Sequence, residues 1–381
     1  MIYEKRTAMP TPEVLAVAMA TALFAAACSD APTAASSDAL RPTFDVSAAA
    51  TTQVVMSNLN SPRGLAWGPD GALYVVETGT SAINGPCATI ARGQNCYSGT
   101  GSISRLWKGH QERVVTGLPS VFNSAVPDIN GPQHVALNGN GNMYVTIGWG
   151  GAPAARSQLG SLGAGFGSLI LVKPDGPWKT VVDVSAYEDA NNPAGGPLDS
   201  NPYGLLAEGG RQFATDAGGN TLFEISPSGD LSLLATFARV AVPPGPFNPP
   251  FALSDPVPTQ VRRGPDGALY VSTLTGVPFL PGAATIFRVT PGQAPQAYAA
   301  GFTQVTALEW GPDGSLYVLQ YASAPFFGGP GALIRVKDNV RTTIIATLAN
   351  PTGLAIGRDG VIYVAQKHTV PGGGEVLRIV P

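Results

Sequence analysis

One hairpin is written six times along this chain, and that repetition limits the possible fold more than any other feature. Residues 62–77 read PRGLAWGPDGALYVVE. The pattern returns as PQHVALNGNGNMYVTI from 132, PYGLLAEGGRQFATD over 202–216, PTQVRRGPDGALYVST from 258, VTALEWGPDGSLYVLQ from 305 and PTGLAIGRDGVIYVAQ from 351. Each copy is a run of alternating apolar residues, a tight turn of the Asp-Gly or Asn-Gly kind (Gly209-Gly210 in the third copy) and a second alternating run, the strongest short-range hairpin signal. The turn glycines Gly71, Gly141, Gly210, Gly267, Gly314 and Gly360 stand 70, 69, 57, 47 and 46 residues apart. The later steps match the ~40 to 50 residues of a propeller blade, and the earlier ones predict inserted loops.

A third strand follows every hairpin, at 102–107, 168–173, 221–226, 285–290, 332–337 and 375–380. A fourth follows at 112–118, 179–185, 231–237, 296–302 and 342–348. Only the last copy lacks one. TQVVMSNL at 52–59 resembles TTIIATL at 342–348 and has no other blade to join. Residues 51–381 are therefore expected to form an all-β, six-bladed β-propeller of four-stranded antiparallel blades. The N-terminal strand completes the last blade, which leaves no free edge at the closure.

The repeated turn and sheet residues have structural work to do. Asp70, Asp266, Asp313 and Asp359 sit in the turns, and Tyr74, Tyr144, Tyr270, Tyr317 and Tyr363 alternate into sheet faces. None of them is assigned to chemistry.

The first 28 residues read as an export signal. An uncharged run over 14–27, VLAVAMATALFAAA, follows Lys5 and Arg6 and is too short to span a bilayer comfortably. It ends at Cys28 in a sequence like a lipobox, with Ala25 where Leu is usual; cleavage after Ala-x-Ala by the ordinary signal peptidase is the alternative to lipidation. A small, polar linker over 29–50 follows. The protein is thus expected outside the cytosol, as a membrane-anchored lipoprotein or in secreted or periplasmic form, touching a membrane only through lipid. Cys87 and Cys96, in the Gly-rich stretch NGPCATIARGQNCYSG, read as a disulfide suited to an oxidising compartment. As a metal half-site they lack a third ligand.

Charge excludes some partners. With 22 Lys+Arg against 25 Asp+Glu, and only 12% charged residues, the chain has no basic face for nucleic acid. A small molecule or protein at one propeller mouth is the expected partner, with the chain itself a monomer.

The innermost strands of a propeller line its channel, so the residue after each leading proline is a candidate: Arg63, Gln133, Tyr203, Thr259, Thr306 and Thr352. All six are polar and none is a carboxylate. A second row ends the second strands: Glu77, Ile147, Asp216, Thr273, Gln320 and Gln366. Glu77 and Asp216 are the candidates there for an acid/base pair or a cation site; capping a turn or facing solvent is the other reading. Of the three histidines, His110, His134 and His368, His134 falls beside the channel position, where a hydrogen-bonded structural role is expected. The sequence carries no Gly-x-Ser-x-Gly elbow, His-Glu-x-x-His helix or phosphate loop. Two long stretches, 147–167 with a short helix expected around 154–159 and 183–204 between the second and third blades, read as rims, lids or inserts.

At the hairpin level the chain resembles NHL and SMP-30/gluconolactonase-like six-bladed propellers. The lactonases of that group hold a divalent metal with Glu, Asn and Asp at channel loops; here only Asn201 and Asn350 lie near the matching places. The motifs GPCxxx…C, IGxGGxPAAR, AYEDANNPAGGPLDSNPYGLL, ATDAGGNTL and LTGVPFLPGAATIFRV, spanning 53–380, resemble the ScyD/ScyE family of exported propellers. That resemblance implies no defined activity. It does raise Asn201, Tyr203, Asp216 and Asn220 as a rim cluster on the SNPYG and DAGGN segments. The expectation is a ligand- or protein-binding module with no resident cofactor beyond an optional divalent cation. The alternative is a gluconolactonase-like hydrolase or a quinoprotein-like sugar-oxidising enzyme.

Overall fold

The computed structural model describes residues 50–126, 128–173, 177–242 and 253–381. The export signal with Cys28, and all of the linker but its last residue, lie outside the described residues. Six four-stranded antiparallel sheets follow the repeat. Blade 1, for example, is Pro62–Trp67, Leu73–Glu77, Gly101–Trp107 and His110–Leu118. The innermost strand of each blade packs against that of the next, and the innermost strand of blade 6 returns to blade 1, so the ring is closed.

Closure is made as the sequence predicts. Thr51–Leu59 pairs antiparallel with Gly374–Val380 as the outer strand of blade 6. Met56 and Leu59 of this strand are buried with Leu65, Leu73 and Val75 of blade 1, and burying each such side chain contributes roughly 1.5–3 kcal/mol. Similar clusters fill the seams between the other blades.

The turn residues act as expected. Asp70 accepts the Ala72 N–H at 3.1 Å and the Tyr74 hydroxyl at 3.0 Å, and Asp266 repeats this with Ala268 and Tyr270 at 3.2 Å each. A carboxylate in the turn thus pins a tyrosine that is buried between blades.

Three local features depart from the sequence reading. Blade 2's outer strand ends at Asp183, whose side chain caps an unforeseen helix, Val184–Asn191, by accepting the Ala186 N–H. The helix expected around 154–159 is a longer 3₁₀ stretch, Pro153–Gly165, broken at Gly160. The insert of blade 1 and the connection from blade 1 to blade 2 fold together into a further four-stranded sheet, Cys87–Ile90, Gly93–Tyr97, Val121–Asn123 and Asp128–Asn130, in which Cys87 and Cys96 are directly opposite and disulfide-bonded.

Topology places the loops unequally. The turns after the first and third strands of each blade are short, whereas the loops after the second strands carry the inserts at 78–100, 148–167, 274–283, 321–330 and 367–373, and the connections between blades leave at the same end. All of these open on one mouth.

Candidate functional site

The two polar rows read from the sequence turn out to be mostly internal fastenings. In the first row, the hydroxyl of Thr259 donates to Val305 O at 2.8 Å, that of Thr306 to Pro351 O at 3.1 Å and that of Thr352 to Pro62 O at 2.8 Å. Each bond crosses to the next blade. Thr146 and Thr215 bridge in the same way to Tyr203 O and Thr259 O. These threonines satisfy carbonyls that the converging inner strands would otherwise leave unpaired, so they are not ligand contacts. Of the row, Arg63 reaches the residues that line a cleft, and Tyr203 is buried beside it.

In four of the six blades the second row staples the incoming chain to the blade. Glu77 accepts from Asn60 N at 2.6 Å, Asp216 from Asn201 N at 2.5 Å, Gln320 from Thr303 N at 2.7 Å and Gln366 from Ala349 N at 3.0 Å. Glu77 also binds the Ser104 hydroxyl at 2.6 Å and the Arg113 guanidinium at 2.8 Å. Asp216 takes the Ser200 hydroxyl at 2.7 Å and the Gly218 and Gly219 N–H groups at 3.1 Å. The two carboxylates have separate partners in separate blades, so they form no acid/base or cation pair. Among the described residues, no three His, Cys, Asp or Glu side chains gather into a metal-holding group.

The remaining sequence candidates divide. Gln133 donates to Asn130 Oδ1 at 2.5 Å, and Asn130 donates to Asn201 Oδ1 at 3.1 Å, so both belong to a hydrogen-bonded chain that ends on Asp216. Asn220 faces Asp255 and Val257 instead. The expected rim cluster is therefore split. His134 is buried 3.3 Å from the Arg262 guanidinium, which also pairs with Glu309 at 2.6 Å. Burial, and then the Arg262 charge, depress its pKa well below the usual range and keep it neutral.

Arg63 anchors what is left. It donates to Asp128 Oδ1 at 3.3 Å and Ile129 O at 3.4 Å, and its Nε has no hydrogen-bond partner among the described residues. Burial works against its charge, but Tyr203, Asp128 and Tyr321 nearby hold its pKa above the ordinary value. Beside it, Tyr321 Oη lies 2.6 Å from His368 Nε2. Burial, then the Arg63 charge, keep His368 neutral, and burial pushes the Tyr321 phenol up to about 12. Ser61, Arg63, Phe122, Asp128, Ile129 and His368 line a cleft of about 230 Å³. The Ser61 hydroxyl, like Arg63 Nε, lacks a partner. The cleft thus presents the Arg63 guanidinium and the Asp128 side chain, with the neutral His368 beside them.

A larger hollow of about 320 Å³ lies between the turn ends of blades 1 and 2, lined by Pro69, Asp70, Tyr74 and Arg105 among others. Its polar groups are already joined to one another, Arg105 also pairing with Glu112. It faces away from the inserts, and its chemistry is that of a turn.

Asp128 and Tyr321 escaped the sequence reading, and His368 was given no role there. Asp128 belongs to the unforeseen insert sheet, and His368 carries no motif. The available signal was positional: both Tyr321 and His368 follow the end of a second strand, where all six blades open to the mouth.

Comparison with known proteins identifies the architecture. A candidate gluconolactonase is 13% identical over 88% of this chain and 93% of its own, with a TM-score of 0.51. The chain shares its fold. A catalytically inactive virginiamycin B lyase from Staphylococcus aureus, solved with quinupristin, is 15% identical over 87% of this chain and 99% of its own, with a TM-score of 0.49. A calcium-binding regucalcin from Agrobacterium tumefaciens strain C58 is 11% identical over 89% and 97%, also at 0.49. No protein-family model and no curated protein matches the sequence. At such identities the likeness is one of fold, and activity must be argued from the site.

Proposed function

We propose that this chain is a ligand-binding propeller that takes a small molecule bearing a carboxylate, ester or carbonyl into the mouth beside blades 1 and 6. The observation that carries this reading is Arg63, a nearly buried guanidinium at the wall of an open cleft, held there by Asp128 and Tyr203. A buried cationic donor of that kind is suited to an oxygen acceptor from outside. Export, with anchoring through Cys28 or release, belongs to the same proposal, and the Cys87–Cys96 disulfide supports an oxidising compartment.

A hydrolytic reading draws on a different observation, the neutral His368 bonded to Tyr321 beside a guanidinium. A neutral imidazole hydrogen-bonded to a phenol offers a route along which a proton could pass. One experiment separates the two. Calorimetric titration with aldonolactones and their hydroxy acids, with calcium and after chelation, should show binding that weakens at least tenfold in Arg63→Gln while the lactone stays intact. Lactone turnover that vanishes in His368→Ala would establish the enzyme instead. Binding unchanged in Arg63→Gln would sink the mouth assignment.

A further inference from the structure

Two neighbouring loops at the same mouth hold aromatic rings in costly backbone. Phe279, in the loop after the second strand of blade 4, has φ 58°; Phe326 and Phe327, in the corresponding loop of blade 5, have φ 54° and 62°. Bulky residues rarely adopt this left-handed region, and where they do the surroundings must impose it. Gln304 is part of that imposition. Fully buried, it donates to Ala324 O at 2.9 Å and Phe279 O at 3.4 Å, so one amide ties both loops together.

The rings form a continuous path from solvent to the polar cleft. Phe326 lies 6.1 Å and Phe327 4.3 Å from Phe279, Phe327 lies 5.4 Å from Tyr321, and Tyr321 lies 5.3 Å from His368. Phe326 and Phe327 are nevertheless 50% and 43% exposed. Two half-exposed phenyl rings present on the order of 200 Å², a fraction of the roughly 800 Å² per side of a stable protein interface. The scale is that of a small molecule's ring.

The geometry points to a ring-binding subsite made by Phe279, Phe326 and Phe327, whose occupant is an amphiphilic small molecule with an aryl ring stacked there and a carboxylate or carbonyl at Arg63. This rests on the mouth reading above and adds the ring. Tyr321 joins the halves, since it packs on Phe327, bonds His368 and lies within electrostatic reach of Arg63.

The test uses 3-phenylpropionate, 4-phenylbutyrate and 5-phenylvalerate against octanoate, titrated into wild type, Arg63→Gln and a Phe326→Leu/Phe327→Leu variant, each first checked by thermal melting. Leucine keeps apolar bulk and removes the ring. A phenyl acid should bind more tightly than octanoate, lose about tenfold in the leucine variant and show saturation transfer to its ring protons. Octanoate should be indifferent to the leucine changes. Loss in Arg63→Gln with none in the leucine variant overturns the ring subsite and leaves the mouth reading standing. Indifference to both, or no binding by any acid, refutes both.

Discussion

Removing the Glu77 carboxylate should loosen the closure of the ring rather than a reaction. Glu77 is fully buried and holds Asn60 N, Ser104 and Arg113, while Arg113 also donates to Asn58 O at 2.8 Å. Asn58 and Asn60 lie at the end of the strand that completes blade 6. Glu77→Ala strands two buried donors and one half-exposed guanidinium, a loss of about 3–5 kcal/mol. For a domain of this size that corresponds to a fall in melting temperature of roughly 4–7 °C. Glu77→Gln should cost less, about 1–2 kcal/mol, because Gln320 and Gln366 accept the equivalent N–H in blades 5 and 6. Arg113→Gln leaves a buried carboxylate without its cation, so a cycle of the two Gln variants should give a coupling of about 1–3 kcal/mol. Denaturant melts supply the energies, and hydrogen exchange should show the 51–59 strand losing protection first. Additive effects in the cycle, or a Glu77→Ala protein within about 0.5 kcal/mol of wild type, would refute the latch and free Glu77 for chemistry.

Two further outcomes follow from the same structure. Thr352→Val should destabilise by about 1–2 kcal/mol, since Pro62 O loses its donor across the blade seam, while Thr352→Ser keeps it; chemical melts distinguish them. Glu188 is raised from 4.5 to about 7 by burial and by Asp216 and Asp199. The folded state therefore binds more protons than the unfolded between those values, and stability falls as pH rises from about 4.5 to about 7. The loss should be no more than about 2 kcal/mol after screening. Glu188→Gln should flatten that slope, and an unchanged slope would show that another group causes it.

The fold was legible because each blade repeats one local rule. Gly71 and Gly267 occupy the φ their turns require, at 75° and 78°, and Asp70 and Asp266 fix the tyrosine that follows. A local rule of that kind is written wherever the backbone needs it. The site obeys a different logic. Polarity in the row from Arg63 to Thr352 was correctly read, but polarity alone does not separate a side chain that meets a ligand from one that meets the next blade's carbonyl. That distinction depends on where the inner strands converge. A Cβ on Gly353 would stand 2.1 Å from Arg63 O, and one on Gly204 2.2 Å from Thr259 O. At such proximity a threonine is consumed by its neighbour, whereas the longer Arg63 reaches the residues that line the cleft. The partners that give Arg63 its meaning, Asp128, Tyr321 and His368, come from an insert and from two loops of the last blades. They are joined by ring closure and not by any spacing along the chain. On the proposed reading, function in this scaffold is assembled from the residues that break the repeat, and the left-handed phenylalanines of blades 4 and 5 are breaks of that kind.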